Sequence, residues 1–344
     1  MKHVYAFGTD GMTAIERRRI GGTALCVSVL GLGAAPLGGL YQPSSTAQAI
    51  ETVQAAAAAG IDLFDVAPHY GQGLAEQRLG AGLATLHGQD FVLSTKVGRL
   101  LDPAPAVPSQ PNWPEALPFR TSYDVSRAGI KRSIEDSRRR LGGLGAAMLF
   151  LHDPDRQADG AALVALIAEA HRTLADLRAQ GLVSAIGIGV NAAEPCRLAL
   201  DVGDWDCFLL AGTYSVLRQD DGGLLDLCAR RGVSVLVGGP YMSGALAGGT
   251  TWRYRPIPPD IAADIARLRQ ICARNGAPVE AAALQFPLRH PAVAAVLVGM
   301  RSADEVARNV AFIQRDIPDS LWADLEAQGL IGGADDRPDL QVQS

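Results

Sequence analysis

Four polar side chains stand at or just after the ends of three successive apolar segments. Asp65 ends the segment IDLFD and Tyr70 follows it by five residues. Lys96 lies within STKVG, and His152 closes AAMLFLH. Only three of the 31 basic residues are lysines, and a lysine is seldom buried in a strand without a partner. The position of Lys96 therefore indicates a specific role.

A carboxylate, a phenol, an ammonium and an imidazole form a coherent acid–base set if the fold brings them together. A buried carboxylate such as Asp65 requires a cationic or hydrogen-bonding partner, which Lys96 would supply. Lys96 would also stabilise the phenolate and so lower the pKa of Tyr70. Tyr70 would then act as general acid or base toward a carbonyl or alcohol oxygen, with His152 hydrogen-bonded to the same oxygen. Taken singly, each residue also fits a structural role, as an ion-pair member, a packed tyrosine or a core histidine.

Eight short, β-branched apolar segments bounded by Gly, Asp or Pro alternate with helical patterns along the chain. This pattern predicts a parallel sheet, and the eightfold repeat favours an α/β fold with one (β/α)8 TIM barrel over two domains. A doubly wound sheet would need a glycine fingerprint, but GLGAAPLGG has Pro36 where the last glycine belongs. We predict an extension over 1–20, the barrel over 21–330 and a tail over 331–344. The predicted strands are 27–33, 61–67, 91–98, 146–152, 182–190, 205–212, 233–239 and 292–299.

Two long connections, 98–123 and 239–257, are rich in aromatic residues and lie after predicted strands. Barrel active sites are built from the loops that follow the strands, so these segments are expected to wall a pocket, although a surface insertion is the alternative. Aromatic side chains there could stack on a flat ring or on the apolar face of a sugar. The expected substrate contacts are His69, Trp113, Tyr241 and Trp252.

Composition excludes several classes of function. The net charge of -5 argues against nucleic acid as the main partner. The sequence contains no uncharged apolar run of 18 residues, the length needed to span a membrane. The first residues lack the apolar stretch of a signal peptide. Five cysteines without a CxxC pair or a metal-ligand spacing indicate reduced thiols in the cytoplasm and no bound metal. A small molecule is the expected partner, and the sequence carries no signal for an oligomeric state.

The segments DVAPHY, STKVG and LFLHDPD, in this order, resemble the aldo-keto reductase superfamily over nearly the whole chain. The resemblance implies hydride transfer with a nicotinamide cofactor and a catalytic tetrad of Asp65, Tyr70, Lys96 and His152. GIGVN resembles the family's fifth-strand cofactor segment, which places Asn191 at the nicotinamide carboxamide. VLVGMRSADEVARN resembles the segment that binds the adenosine half, and it implies cofactor contacts from Gly299, Arg301, Glu305 and Asn309.

The chain departs from the family pattern around the nicotinamide. Ala211 stands where the family has a glutamine three residues before Tyr214, and GGPY over 238–241 replaces a stacking tyrosine. Tyr214, Gly238 and Pro240 are retained as expected cofactor contacts. The stretch GGPYMSG resembles the branch of L-fucose, D-threo-aldose and pyridoxal 4-dehydrogenases, which implies oxidation of a cyclic hemiacetal to a lactone. NAD is favoured over NADP, because Glu305 would repel a 2′-phosphate that Arg301 could otherwise bind.

Three other functions fit parts of the sequence. The chain could reduce aldehydes or ketones with NADPH, as other members of the superfamily do. Lys96 alone would also suit a Schiff-base aldolase, which leaves the spacing of Asp65 and Tyr70 unexplained. A nucleotide-binding regulatory subunit would show an exposed apolar patch and little turnover.

Overall fold

The computed structural model describes residues 14–104, 112–219, 221–253 and 255–332. Most of the predicted extension over 1–20 and of the tail over 331–344 lies outside the described residues. The boundaries predicted for these two segments therefore stay predictions.

Eight parallel strands close into a barrel, which confirms the predicted (β/α)8 architecture. Each strand pairs with its sequence neighbour in the barrel, and β8 pairs with β1 to close it. Nearly every barrel-strand residue is buried, because the strands face packed side chains on both sides. The strands are β1 Leu30–Gly33, β2 Leu63–Asp65, β3 Val92–Val97, β4 Met148–His152, β5 Ala185–Val190, β6 Cys207–Ala211, β7 Ser234–Gly238 and β8 Val293–Gly299.

Ten α-helices surround the barrel in the described part of the chain. Capping residues define several of their ends: the hydroxyl of Ser45 accepts from Gln48 N at the start of α1, and Ser302 accepts from Glu305 N at the start of α9. The helices are α1 Thr46–Ala58, α2 Leu74–Leu83, α3 Arg127–Arg140, α4 Gly160–Ala179, α5 Glu194–Val202, α6 Leu224–Arg231, α7 Pro259–Arg274, α8 Val279–Leu288, α9 Ala303–Ile313 and α10 Asp319–Ala327.

A hairpin of Arg17–Arg19 and Cys26–Ser28 covers the amino ends of the barrel strands. Its turn buries Ile20 completely among barrel-interior side chains such as Leu63, and Gly21 N donates to Ser234 Oγ at the start of β7 over 2.8 Å. The sequence predicted one strand over 27–33, but the chain ends the hairpin at Ser28 and begins β1 at Leu30. The carboxyl ends of the strands, on the opposite side, form the open mouth.

Two hairpins project from the long connections that follow β3 and β7. The first pairs Arg99–Pro103 with Phe119–Tyr123 and is called here the Arg99 hairpin. The second pairs Thr251–Trp252 with Arg255–Pro256. Both form two-stranded sheets separate from the barrel, so their side chains can border the mouth without altering the barrel pairing.

Candidate active site

Asp65 and Lys96 form a buried ion pair at the mouth of the barrel. Asp65 is the last residue of β2 and Lys96 lies one residue before the end of β3, so neighbouring strands carry them to the same end. Lys96 Nζ donates to Asp65 Oδ2 over 2.8 Å and to Val66 O over 3.0 Å. Ser94 Oγ donates to the other carboxylate oxygen over 2.7 Å. The side chains are only 2% and 5% exposed, so both charges are satisfied inside the protein.

Tyr70 and His152 lie beside this ion pair and complete the set of four polar residues. Tyr70 begins a short turn, Tyr70–Gly73, and Lys96 Nζ lies 4.9 Å from the centroid of its ring. His152 ends β4, with its ring 6.2 Å from that of Tyr70 and nearly perpendicular to it. Trp113 stacks on the ring of Tyr70, with ring centroids 5.8 Å apart. The four residues singled out in the sequence therefore share one site.

Burial dominates the acid–base properties of this cluster. It raises the pKa of Tyr70, and the charge of Lys96 opposes this increase without cancelling it. The net direction thus differs from the lowering expected from the sequence, which considered Lys96 alone. Burial, assisted by Arg99 and Lys96, holds the pKa of His152 well below its ordinary value. Its neutral imidazole can hydrogen-bond an oxygen, and Nδ1 has no partner among the described residues.

A cavity beside the tetrad has the composition expected for a substrate pocket. Two of the predicted substrate residues, His69 and Trp113, line it together with Tyr70, Lys96 and His152. The rings of His69 and Trp113 are 6.1 Å apart in an edge-to-face arrangement. Burial and nearby arginines lower the pKa of His69 to about 4, so its imidazole is neutral at physiological pH.

The other two predicted substrate residues lie elsewhere. Trp252 is only 2% exposed and packs in an apolar cluster with α7, because its hairpin folds back onto that helix. It is therefore not available to a ligand in the substrate cavity. Tyr241 lines a different cavity, where its hydroxyl donates to Asn309 Oδ1 over 2.5 Å.

A second cavity shares Tyr70, Asn191 and Ala211 with the substrate cavity and continues across the barrel mouth. Asn191 follows β5, and its Nδ2 donates to Asp153 Oδ1 over 3.3 Å. Gly238 and Gly299 also line this cavity. Tyr214, predicted to contact the cofactor, instead stacks on Phe286 of α8 with centroids 5.3 Å apart.

The third cavity carries the predicted adenosine-side residues. Pro240, Gly299, Arg301, Glu305 and Asn309 line it. Arg301 N donates to Glu305 Oε2 over 2.9 Å, and the Arg301 guanidinium donates to Gln42 Oε1, also over 2.9 Å. Sequence reasoning missed the contributions of Arg308 and Tyr241 to this cavity, and the contact of Gln42 with Arg301.

The second and third cavities fit a dinucleotide. They share Gly239, Ser243 and Gly299 and so form a continuous groove. A Cβ at Gly239 would meet no atom within 4 Å, so the missing side chain leaves open a space that the groove can use. An amide donor at Asn191 stands at one end and an arginine with a capped helix amino terminus at the other. A parallel barrel with this groove beside a buried Tyr–Lys–Asp–His cluster defines a nicotinamide-dependent oxidoreductase.

Comparison with known proteins identifies the family: the chain belongs to the aldo/keto reductase family, whose model matches residues 29–328. It is similar to pyridoxal 4-dehydrogenase of Microbacterium luteolum, with 40% identity over 93% of this chain and 99% of the relative. D-threo-aldose 1-dehydrogenase of a Pseudomonas species is 36% identical over 89% of this chain and 95% of the relative. The structure of an aldo-keto reductase from Bacillus halodurans in its holo form matches with a TM-score of 0.73 and 25% identity, covering 96% of this chain and 100% of that one. The chain is accordingly an NAD(P)-dependent oxidoreductase of the branch predicted from its sequence.

In the described part of the chain, no group of three His, Cys, Asp or Glu residues is placed to hold a metal ion. None of its helices is long and apolar enough to cross a membrane.

Proposed function

We propose that the enzyme oxidises a cyclic hemiacetal to a lactone, with Tyr70 as general base. The substrate is a sugar lactol such as L-fucose or D-threo-aldose, or the internal hemiacetal of pyridoxal. One observation carries the proposal: Tyr70 lies on the boundary between the substrate cavity and the dinucleotide groove, beside the buried Lys96–Asp65 pair. A group at this boundary can exchange a proton with a substrate whose carbon faces the cofactor.

Each residue of the tetrad has a separate role in the proposed reaction. Tyr70 accepts the proton of the hemiacetal hydroxyl, and the electron pair of that O–H bond forms the lactone carbonyl. The C–H bond breaks at the same time, and its electron pair leaves with the hydrogen as hydride. A bound oxidised nicotinamide supplies the hydride acceptor and a positive ring charge. Lys96 stabilises the phenolate form of Tyr70, and Asp65 fixes the position of the ammonium. Neutral His152 donates a hydrogen bond to the reacting oxygen and so orients it.

The aromatic lining of the substrate cavity supports a cyclic substrate. Trp113 and His69 present rings that can lie against a flat heterocycle or the apolar face of a sugar. The ring oxygen of a lactol assists hydride departure, and the lactone forms without water as a reactant. The names of two similar proteins, pyridoxal 4-dehydrogenase and D-threo-aldose 1-dehydrogenase, support the proposal of these two substrate types.

The third cavity supports NAD over NADP as the cofactor. Glu305 places a carboxylate in the groove, and the Arg301 guanidinium already donates to Gln42. A 2′-phosphate would meet the negative charge of Glu305, whereas ribose hydroxyls could donate to it. We also propose a cytoplasmic location, because Cys196, Cys207, Cys228 and Cys272 are free and buried.

Steady-state assays with L-fucose, D-arabinose and pyridoxal under excess NAD test the proposal. We expect NADH formation with at least one lactol, and a loss of several orders of magnitude in the Tyr70→Phe variant with nucleotide binding retained. Reduction of open-chain aldehydes with NADPH, without oxidation of any lactol, would contradict it. A Tyr70→Phe variant with near-normal rates would refute the assigned base.

A further inference from the structure

A buried arginine in the substrate cavity has no part in the hydride-transfer chemistry. Arg99 follows β3 at the start of the Arg99 hairpin and is 4% exposed. It lines the substrate cavity together with Tyr70 and His152. Because a buried guanidinium is tolerated only when it is paired or hydrogen-bonded, its position requires a partner within the fold.

Asp153 is that partner and fixes the orientation of the guanidinium. Arg99 Nη2 donates to Asp153 Oδ2 over 2.8 Å, and both side chains are less than a tenth exposed. Asp153 follows β4 with a positive φ of 42°, a backbone conformation that is unusual outside glycine. It is also within 3.4 Å of Arg156 and 3.3 Å of Asn191. One carboxylate therefore orients Arg99 and Asn191, which line the substrate cavity.

Asp153 does not use the full donor capacity of Arg99. A guanidinium carries five N–H groups, and Arg99 Nε is buried without a hydrogen-bond partner among the described residues. The Cζ atom of the group lies 5.5 Å from the ring centroid of Tyr123, a contact that uses none of its N–H donors. The depressed pKa values of His69 and His152 include contributions from Arg99, so its positive charge acts across the cavity.

We propose that Arg99, oriented by Asp153, binds an anionic oxygen of the substrate. This subsite rests on the proposed function and defines its substrate class: cyclic hemiacetals that carry an ionised hydroxyl or a carboxylate near the reacting carbon. The phenolic oxygen of pyridoxal, on the ring carbon next to the one that bears the hemiacetal carbon, satisfies this requirement. So does the carboxylate of a hexuronic acid, whereas a neutral sugar lactol would bind without this contact and therefore more weakly. Arg99 is thus a specificity-determining residue, and Asp153 is the residue that positions it.

Matched substrate pairs distinguish binding by Arg99 from a structural role. The first pair is pyridoxal and 3-deoxypyridoxal, which differ in the phenolic oxygen, and the second is D-galacturonate and D-galactose. We expect the native enzyme with NAD to prefer the anionic member of at least one pair in kcat/KM by on the order of 10–100-fold, as for a charge-assisted hydrogen bond. In Arg99→Met this preference should collapse to within about threefold, because the neutral member loses nothing at this subsite.

Two control variants separate the loss of the Arg99 contact from indirect effects of the substitution. Arg99→Met leaves Asp153 buried without its cation, so Arg99→Met/Asp153→Asn provides a version in which both charges are removed. Arg132→Met breaks the 2.6 Å ion pair between Arg132 and Asp102 of the same hairpin and should keep the preference. Equal losses for both members of each pair in the double variant would refute the subsite, as would the absence of any preference in the native enzyme.

A binding measurement separates this proposal from the proposed function. If the native enzyme oxidises none of these compounds, the proposed function fails on its own. Quenching of tryptophan fluorescence by 4-pyridoxolactone then tests the subsite directly with the NAD-loaded protein. Binding that is on the order of tenfold weaker in Arg99→Met than in the native and Arg132→Met enzymes supports the subsite. Equal binding by all three refutes it.

Discussion

Replacement of Lys96 by methionine should shift the pH dependence of oxidation as well as lower its rate. Lys96 Nζ lies 4.9 Å from the centroid of the Tyr70 ring and is 2.8 Å from Asp65 Oδ2. Methionine fills a similar volume and removes the charge. The variant therefore isolates the electrostatic contribution of Lys96 to the ionisation of Tyr70.

The magnitude follows from Coulomb's law. With the 4.9 Å between Lys96 Nζ and the ring centroid taken as the charge separation, and an effective dielectric constant of about 20, the interaction contributes about 3 kcal/mol, or roughly 2 pH units. Burial already raises the pKa of Tyr70, and loss of Lys96 removes the main opposing influence. The phenolate fraction at pH 8 should consequently fall by about 100-fold, and kcat for lactol oxidation should fall in proportion.

The assay is the pH profile of kcat under saturating NAD, measured for the native enzyme, Lys96→Met and Lys131→Met. Lys131 is exposed on α3 and serves as the matched control, with no expected change. Oxidation requires the phenolate, so the rate should rise with pH through the pKa of Tyr70. In Lys96→Met this rise should move about 2 pH units toward alkaline pH.

The result that would refute the reasoning is a lower rate with an unmoved pH profile. Lys96 would then act through the position of Tyr70 or of the substrate and not through the ionisation of the phenol. Because Asp65 loses its cation, Lys96→Met/Asp65→Asn should be measured in parallel. Agreement between the profiles of the two variants excludes a misfolded site as the cause.

Three further predictions concern stability and cofactor choice. The pKa of His69 is about 4 in the folded protein and near 6.5 in the unfolded chain. The stability that the neutral imidazole confers is therefore present above pH 6.5 and is lost as the pH falls toward 4. Between pH 7.5 and pH 5, the free energy of unfolding in urea should fall by about 1–2 kcal/mol more for the native enzyme than for His69→Asn. Glu305→Gln should raise kcat/KM for NADP relative to NAD by about tenfold, because it frees Arg301 from its ion pair. An unchanged ratio would contradict the proposal that Glu305 selects NAD over NADP. Gly187→Ala should destabilise the barrel by about 3 kcal/mol, because the Cβ of the alanine would overlap the carbonyl oxygen of Cys207. The measurement is a lower Tm, and a Tm equal to that of the native enzyme would show that β5 and β6 can separate at this point.

The barrel and its tetrad could be predicted from the sequence because their signals are local. Short apolar segments with polar residues at their carboxyl ends define both the strands and the residues that meet at the mouth. The side-chain environment was not accessible in this way. Burial reverses the expected direction of the Tyr70 pKa, and only packing shows that Trp252 is enclosed and that Tyr214 faces α8.

Long-range polar pairs were equally hidden from the sequence. Arg99 and Asp153 are 54 positions apart and come from the ends of different strands. Neither residue belongs to a repeated pattern, and ion pairing depends on the register between β3 and β4. The one available signal was positional, since both residues directly follow predicted strands, as Asn191 also does.

The separation of the Arg99 hairpin from the barrel sheet has an evolutionary consequence. The hairpin pairs Arg99–Pro103 with Phe119–Tyr123 in a sheet of its own, whereas Asp65, Lys96 and His152 are anchored in barrel strands. Mutations or length changes in the hairpin can therefore alter the substrate-facing wall while the hydrogen bonds that position the tetrad persist. Selection for a new substrate could act on this one exchangeable segment, and the inherited redox chemistry would remain intact during the change.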